Sequence, residues 1–170
     1  MSFIAQVTIS IVIYFIIRFF YQKEKSLYFA GFIAAFSYVL IYLATYEIIS
    51  IMPTIHFMVT GLSLLFIFIA YNEIIILERK VRKVKKGELI NIEPFSVERN
   101  YKIVFKLLGI GLIFLSLALV SGFTLQTIFT ANLLFKAIFT FIAWIIFFIT
   151  FIGVQYANFP IKYATRSLFV

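Results

Sequence analysis

The stretch Ile103–Phe123, IVFKLLGIGLIFLSLALVSGF, decides the fold. Beyond Lys106 it carries no charge, and its apolar residues follow neither the alternation of a half-buried strand nor the stripe of a surface helix. About 20 such residues match the roughly 30 Å hydrocarbon core of a bilayer. Lipid offers no partner for backbone N–H and C=O groups, so a run of this kind satisfies them internally, as a helix.

Four more blocks of this type flank it: Phe3–Tyr21, Leu27–Ser50, Ile55–Leu77 and Asn132–Gln155. The expected fold is all-α, a polytopic transmembrane helical bundle of about five spans, in one domain covering residues 1–170. Composition agrees, because 64% of the 170 residues are hydrophobic and 13% charged, against roughly 45–50% and about 25% in a water-soluble domain. The first block is too long for a signal-peptide core, no Lys or Arg precedes it, and no persuasive small-residue cleavage site follows it, so it is expected to persist in the mature chain.

A net charge of +8 raises the question of nucleic acid, but the placement of the charges answers it. Arg18, Lys23 and Lys25 surround the first connection; Arg79, Lys80, Arg82, Lys83, Lys85, Lys86, Arg99, Lys102 and Lys106 lie in or beside the third; Lys162 and Arg166 follow the last span. The second connection, around Ser50–Thr54, and the fourth, Thr124–Ala131, carry none. This alternation is the mark of the positive-inside rule, with the N-terminus outside and the C-terminus cytoplasmic. The expected partner is therefore the lipid bilayer, and no nucleic acid is expected.

The cytoplasmic basic linker, residues 78–102, is the only sizeable soluble piece. Glu78–Lys86 reads as a helical extension of the third span, with Glu78 and Arg82 four apart on one face, and Gly87 as its stop. Ser96 is placed to cap the next helix, and Glu98 falls in its first turn, where negative charge suits the helix dipole. The plainest role for the basic run is attachment to anionic lipid, at about 1 kcal/mol per Lys or Arg.

Few residues carry chemistry. Cysteine is absent, which excludes disulfides, thiolate metal sites and covalent haem attachment through C-x-x-C-H. His56 is the single histidine and falls at the outer end of the third span. It is either a ligand for haem iron or another metal, or an interfacial imidazole bonded to a loop carbonyl. Lys136, the one cation against the charge rule, either snorkels to headgroups or faces an anionic group such as a haem propionate. Glu47 and Glu73 are the acidic residues inside the spans, each available to a basic neighbour. Trp144 is the lone tryptophan; a cofactor could meet its ring, but no second tryptophan joins it. Gly109, Gly111 and the segment Ser116–Gly122 put small residues on the fourth span, where helices can approach closely. No H-E-x-x-H, Walker A or G-x-S-x-G pattern occurs, and one histidine completes no triad, so enzyme activity is not expected.

Pro94-Phe95-Ser96-Val97-Glu98-Arg99, then a span ending Ser116-Leu117-Ala118-Leu119-Val120-Ser121-Gly122-Phe123, then Lys136-Ala137-Ile138-Phe139-Thr140-Phe141-Ile142-Ala143-Trp144, resembles the C-terminal half of the cytochrome c assembly family. The likeness is to its YpjD-type and HemX-type inner-membrane members and covers roughly His56 to Arg166. It implies a bacterial inner-membrane protein of cytochrome c biogenesis that handles haem. His56, at the place of the family's first histidine, would be an axial haem ligand; Lys136, at the place of the lysine that opens the next span, would contact a propionate; other cytochrome c maturation or membrane proteins would be partners. Lys162–Arg166 looks like a remnant of the family's G-W-R-G-R-R turn. The W-W-D segment is missing, the Asp-Pro-Lys-Glu pattern survives only as Lys136, and Gly153–Asn158 replaces a later histidine. A bis-histidine site then needs a ligand from another chain, and the resemblance is to a reduced or truncated member. The alternative is a structural or scaffolding subunit that has lost haem chemistry. A transporter would show broken helices, polar residues meeting at mid-membrane or an inverted repeat.

Overall fold

The computed structural model describes residues 2–20, 26–45, 51–87, 97–125 and 131–156. These form five helices: α1 (Phe3–Phe20), α2 (Ser26–Thr45), α3 (Ile51–Lys85), α4 (Val97–Thr124) and α5 (Ala131–Tyr156). No strand occurs among the described residues, and all five helices are long and apolar enough to cross a membrane. The all-α bundle of a multi-pass membrane protein is the observed architecture.

One helix starts ahead of the apolar block that marks it. α3 begins at Ile51 instead of Ile55, taking the Ser50–Thr54 connection largely into its first turn. Pro53 is tolerated there because first-turn N–H groups have no intrahelical partner to lose. α2 is described as far as Thr45; residues 46–50, including Glu47, lie outside the described residues, as do Pro94, Ser96 and Lys162–Arg166. The linker is largely helical where it is described: α3 runs unbroken to Lys85, and Gly87 stops it with φ +75° and its N–H donating to the Val84 carbonyl at 3.0 Å. That left-handed conformation favours glycine. Glu78 and Arg82 pair at 3.6 Å.

The helices alternate in direction. Phe3 meets Phe57 edge-on and Tyr14 meets Glu73, so α1 and α3 run parallel. Ser63 bonds the Gly111 carbonyl while His56 bonds Ser121, so α4 runs against α3; Trp144 bonds Ser116, and Gly109 faces Phe151, which reverses α5 again. α3 and α4 form the broadest interface and hold the core together with α2. α2 turns a stripe of small residues and tyrosines inward: Ala30, Ala34, Tyr38 and Tyr42. Its close approach depends on Gly61 of α3, where any Cβ would overlap the Tyr38 ring and hydroxyl. α5 packs chiefly on α4 and leaves Phe135, Phe139 and Ile149 exposed, apolar surface that suits lipid.

Candidate functional site

His56 occupies the second turn of α3, where that helix meets the far end of α4. Its Nδ1 lies 2.9 Å from the Ser121 hydroxyl oxygen, and Ser121 donates its own proton to the Ala118 carbonyl at 3.1 Å. When that proton goes to the Ala118 carbonyl, the imidazole is the donor in the pair, with Nδ1 carrying the hydrogen and Nε2 the lone pair. Gly122 closes the arrangement, since a Cβ there would stand 3.2 Å from His56 Cε1. The small residues of the fourth span thus serve, in part, to seat this ring. A metal-bound histidine ordinarily has this form, with the non-ligating ring nitrogen held by an oxygen partner that fixes tautomer and orientation.

Lys136 sits in the second turn of α5. Because α3 and α5 run in the same direction, it shares an end of the bundle with His56. Its side chain is exposed, and no hydrogen bond or ion pair to a described residue occupies its ammonium. Trp144 lies deeper and elsewhere. Its indole N–H donates to Ser116 at 2.8 Å, and it stacks with Phe141 (6.0 Å, 9°) and Phe148 (4.8 Å, 12°). The indole therefore ties α5 to α4, about five residues, or roughly 7.5 Å of helix rise, from the level of Ser121. The structure brings His56 and Lys136 to one end and leaves Trp144 apart from them. Among the described residues no group of three His, Cys, Asp or Glu side chains could hold a metal ion.

A second polar feature was only partly foreseen. Gln6, Ser10, Tyr14 and Arg18 recur every four residues along α1, and the first three are fully buried. Gln6 donates to the Thr45 hydroxyl at 2.5 Å, while its carbonyl oxygen is buried and has no partner among the described residues. At the other end Tyr14 donates to Glu73 Oε1 at 2.6 Å, and Arg18 Nε reaches the same oxygen at 3.0 Å. Glu73 is 3% exposed, and burying a carboxyl group that deep is costly unless it is hydrogen-bonded and paired, as it is here. In the sequence Glu73 reads as a residue available to a basic neighbour. The i, i+4 recurrence on α1 was the signal that would have named Tyr14 and Arg18.

An apolar groove of about 240 Å³ lies where α1, α3, α4 and α5 meet, lined by Val7, Ile11, Leu64, Phe68, Leu108 and Phe147 among others. It does not include His56. Comparison of the chain with family models, curated proteins and solved structures finds no match.

Proposed function

We propose that this chain is an integral bacterial inner-membrane factor of cytochrome c assembly, with its N-terminus and the His56 end outside and the basic linker in the cytoplasm. The observation that carries the reading is the His56–Ser121 pair, which leaves Nε2 as a lone-pair donor at the end of the bundle where the cation Lys136 also stands. His56 would ligate the iron of a haem and Lys136 would meet a propionate. Bound there, haem would supply a redox-active iron and two carboxylates. The chain's own residues do the rest: His56 offers Nε2, Ser121 holds the ring, Gly122 leaves it room, and Lys136 presents positive charge. With one histidine in the sequence, a second histidine ligand would have to come from another protein, in keeping with an accessory role beside other maturation components and with no catalytic step of its own.

The test is a haem titration of the purified chain followed in the Soret region, with His56→Ala beside it. A band that develops with wild type and is lost in the variant supports the reading; no spectral change on adding haem to wild type overturns it. The arrangement of Trp144 favours a second reading, a scaffolding subunit without haem chemistry, because its indole is committed to holding α5 on α4. In that case His56→Ala and Lys136→Ala cells keep normal c-type cytochrome while deletion of the gene does not.

A further inference from the structure

We propose that the groove between α1 and α5 is a site for an anionic glycerophospholipid, with an acyl chain in the groove and the headgroup phosphate on the basic end of α3. The proposal is independent of the haem reading and concerns the opposite end of the bundle.

The α3 wall of the groove consists of Leu64, Ile67, Phe68 and Tyr71, spaced i, i+3, i+4 and i+7 and so lying on one helix face. Followed toward the C-terminus, the same face passes Ile75 and arrives at Glu78, Arg79, Arg82 and, just past the last helical residue, Lys86. Arg79, Arg82 and Lys86 are exposed. One carboxylate, Glu78, stands against these three cations and pairs with Arg82 at 3.6 Å, so the face is net positive. The apolar groove and the basic patch are therefore successive parts of one surface.

Dimensions suit the ligand. From Leu64 to Arg79 the helix rises about 22 Å, close to the thickness of one leaflet with its headgroups, half of roughly 40–45 Å. A dry apolar cavity of about 150 Å³ accepts a benzene ring; the groove, at about 240 Å³, accommodates a longer apolar segment. Its walls are aliphatic and aromatic, so an alkyl chain leaves no polar group unsatisfied there. A zwitterionic lipid would fill the groove equally well but gain less from the patch. Each Lys or Arg near a negative surface contributes enough that two net cations favour the anionic headgroup by about tenfold or more.

The experiment is native mass spectrometry of the full chain released from detergent, titrated with phosphatidylglycerol and with phosphatidylcholine of the same acyl chains. Wild type is expected to retain phosphatidylglycerol at about tenfold lower concentration. Arg79→Gln with Lys86→Gln removes that preference and leaves the zwitterionic lipid unaffected, whereas Leu64→Trp, which fills the groove from a half-exposed position, weakens retention of both. A soluble short-chain phosphatidylglycerol, tested on wild type alone, is retained at least tenfold more weakly than the long-chain lipid if the groove contributes, which covers the case of a Leu64→Trp chain that fails to fold. Equal retention of the two lipids by wild type overturns the proposal. So does equal retention of short and long chains, which would reduce the patch to surface attraction for headgroups.

Discussion

Arg18 of α1 and Glu73 of α3 meet inside the bundle, Nε to Oε1 at 3.0 Å, with side chains 16% and 4% exposed. The pair joins helices that are far apart in sequence, and Tyr14 adds a second contact to the same oxygen. Removing one member of a buried pair leaves the other charge uncompensated, which costs about 3–5 kcal/mol. Glu73→Ala and Arg18→Ala are each expected to destabilise the folded chain by that order, read as a lower unfolding midpoint in detergent. The double variant Arg18→Leu with Glu73→Leu recovers most of the loss, because no orphaned charge remains. Additive losses in the double variant would show that the pair is not coupled. Tyr14→Phe is milder, about 1.5–3 kcal/mol, the range for a hydrogen bond to a charged group.

Gly61 is the position where α2 and α3 leave no room for a side chain. Since a Cβ would overlap the Tyr38 ring as well as its hydroxyl, Gly61→Ala forces α2 outward and is expected to cost about 1–3 kcal/mol, as overpacking does. Tyr38→Phe does not relieve it, because the ring remains; Tyr38→Ala does so in part. Thermal unfolding of the single and double variants separates the outcomes, and rescue by Tyr38→Phe would contradict the geometry.

The tautomer assigned to His56 predicts graded effects of its neighbours. Ser121→Ala removes the group that holds Nδ1, and loss of such a partner typically weakens metal affinity by about 10–100-fold. Gly122→Val displaces the ring more severely than Gly122→Ala. If haem binds as proposed, Soret titrations rank wild type above Ser121→Ala and Ser121→Ala above His56→Ala. A Ser121→Ala chain as tight as wild type would remove the hydroxyl from the site.

The five spans were legible because hydropathy over about 20 residues is a one-dimensional property. The Gly87 stop and the Glu78–Arg82 pair were legible for the same reason: each depends on residues at most a turn or so apart. The helical start at Ile51 lies ahead of the apolar block that begins at Ile55, because Met52, Pro53 and Thr54 read as connection although proline costs little in a first turn. The partners of His56 and Glu73 were not legible, since Ser121 and Arg18 stand 65 and 55 residues away and helix packing alone decides which faces meet. Trp144 read as an available ring; its engagement with Ser116 and two phenylalanines is likewise a product of packing and local helix spacing.

Orientation in the membrane can be tested cleanly because the chain contains no cysteine, so a single introduced thiol is the only one to react. Met52 and Lys83 are both exposed and lie near opposite ends of α3, separated by about 46 Å of helix at 1.5 Å per residue, a little more than the full bilayer with its headgroups. The charge alternation of the loops assigns Lys83 to the cytoplasm and Met52 to the outer surface. In intact cells a membrane-impermeant maleimide is therefore expected to modify Met52→Cys and to reach Lys83→Cys only after the membrane is broken. The opposite labelling would place His56 and Lys136 in the cytoplasm and overturn the proposed outward placement of that end. It would leave the fold, the Arg18–Glu73 pair and the lipid groove unchanged, since none of these depends on which way the bundle faces.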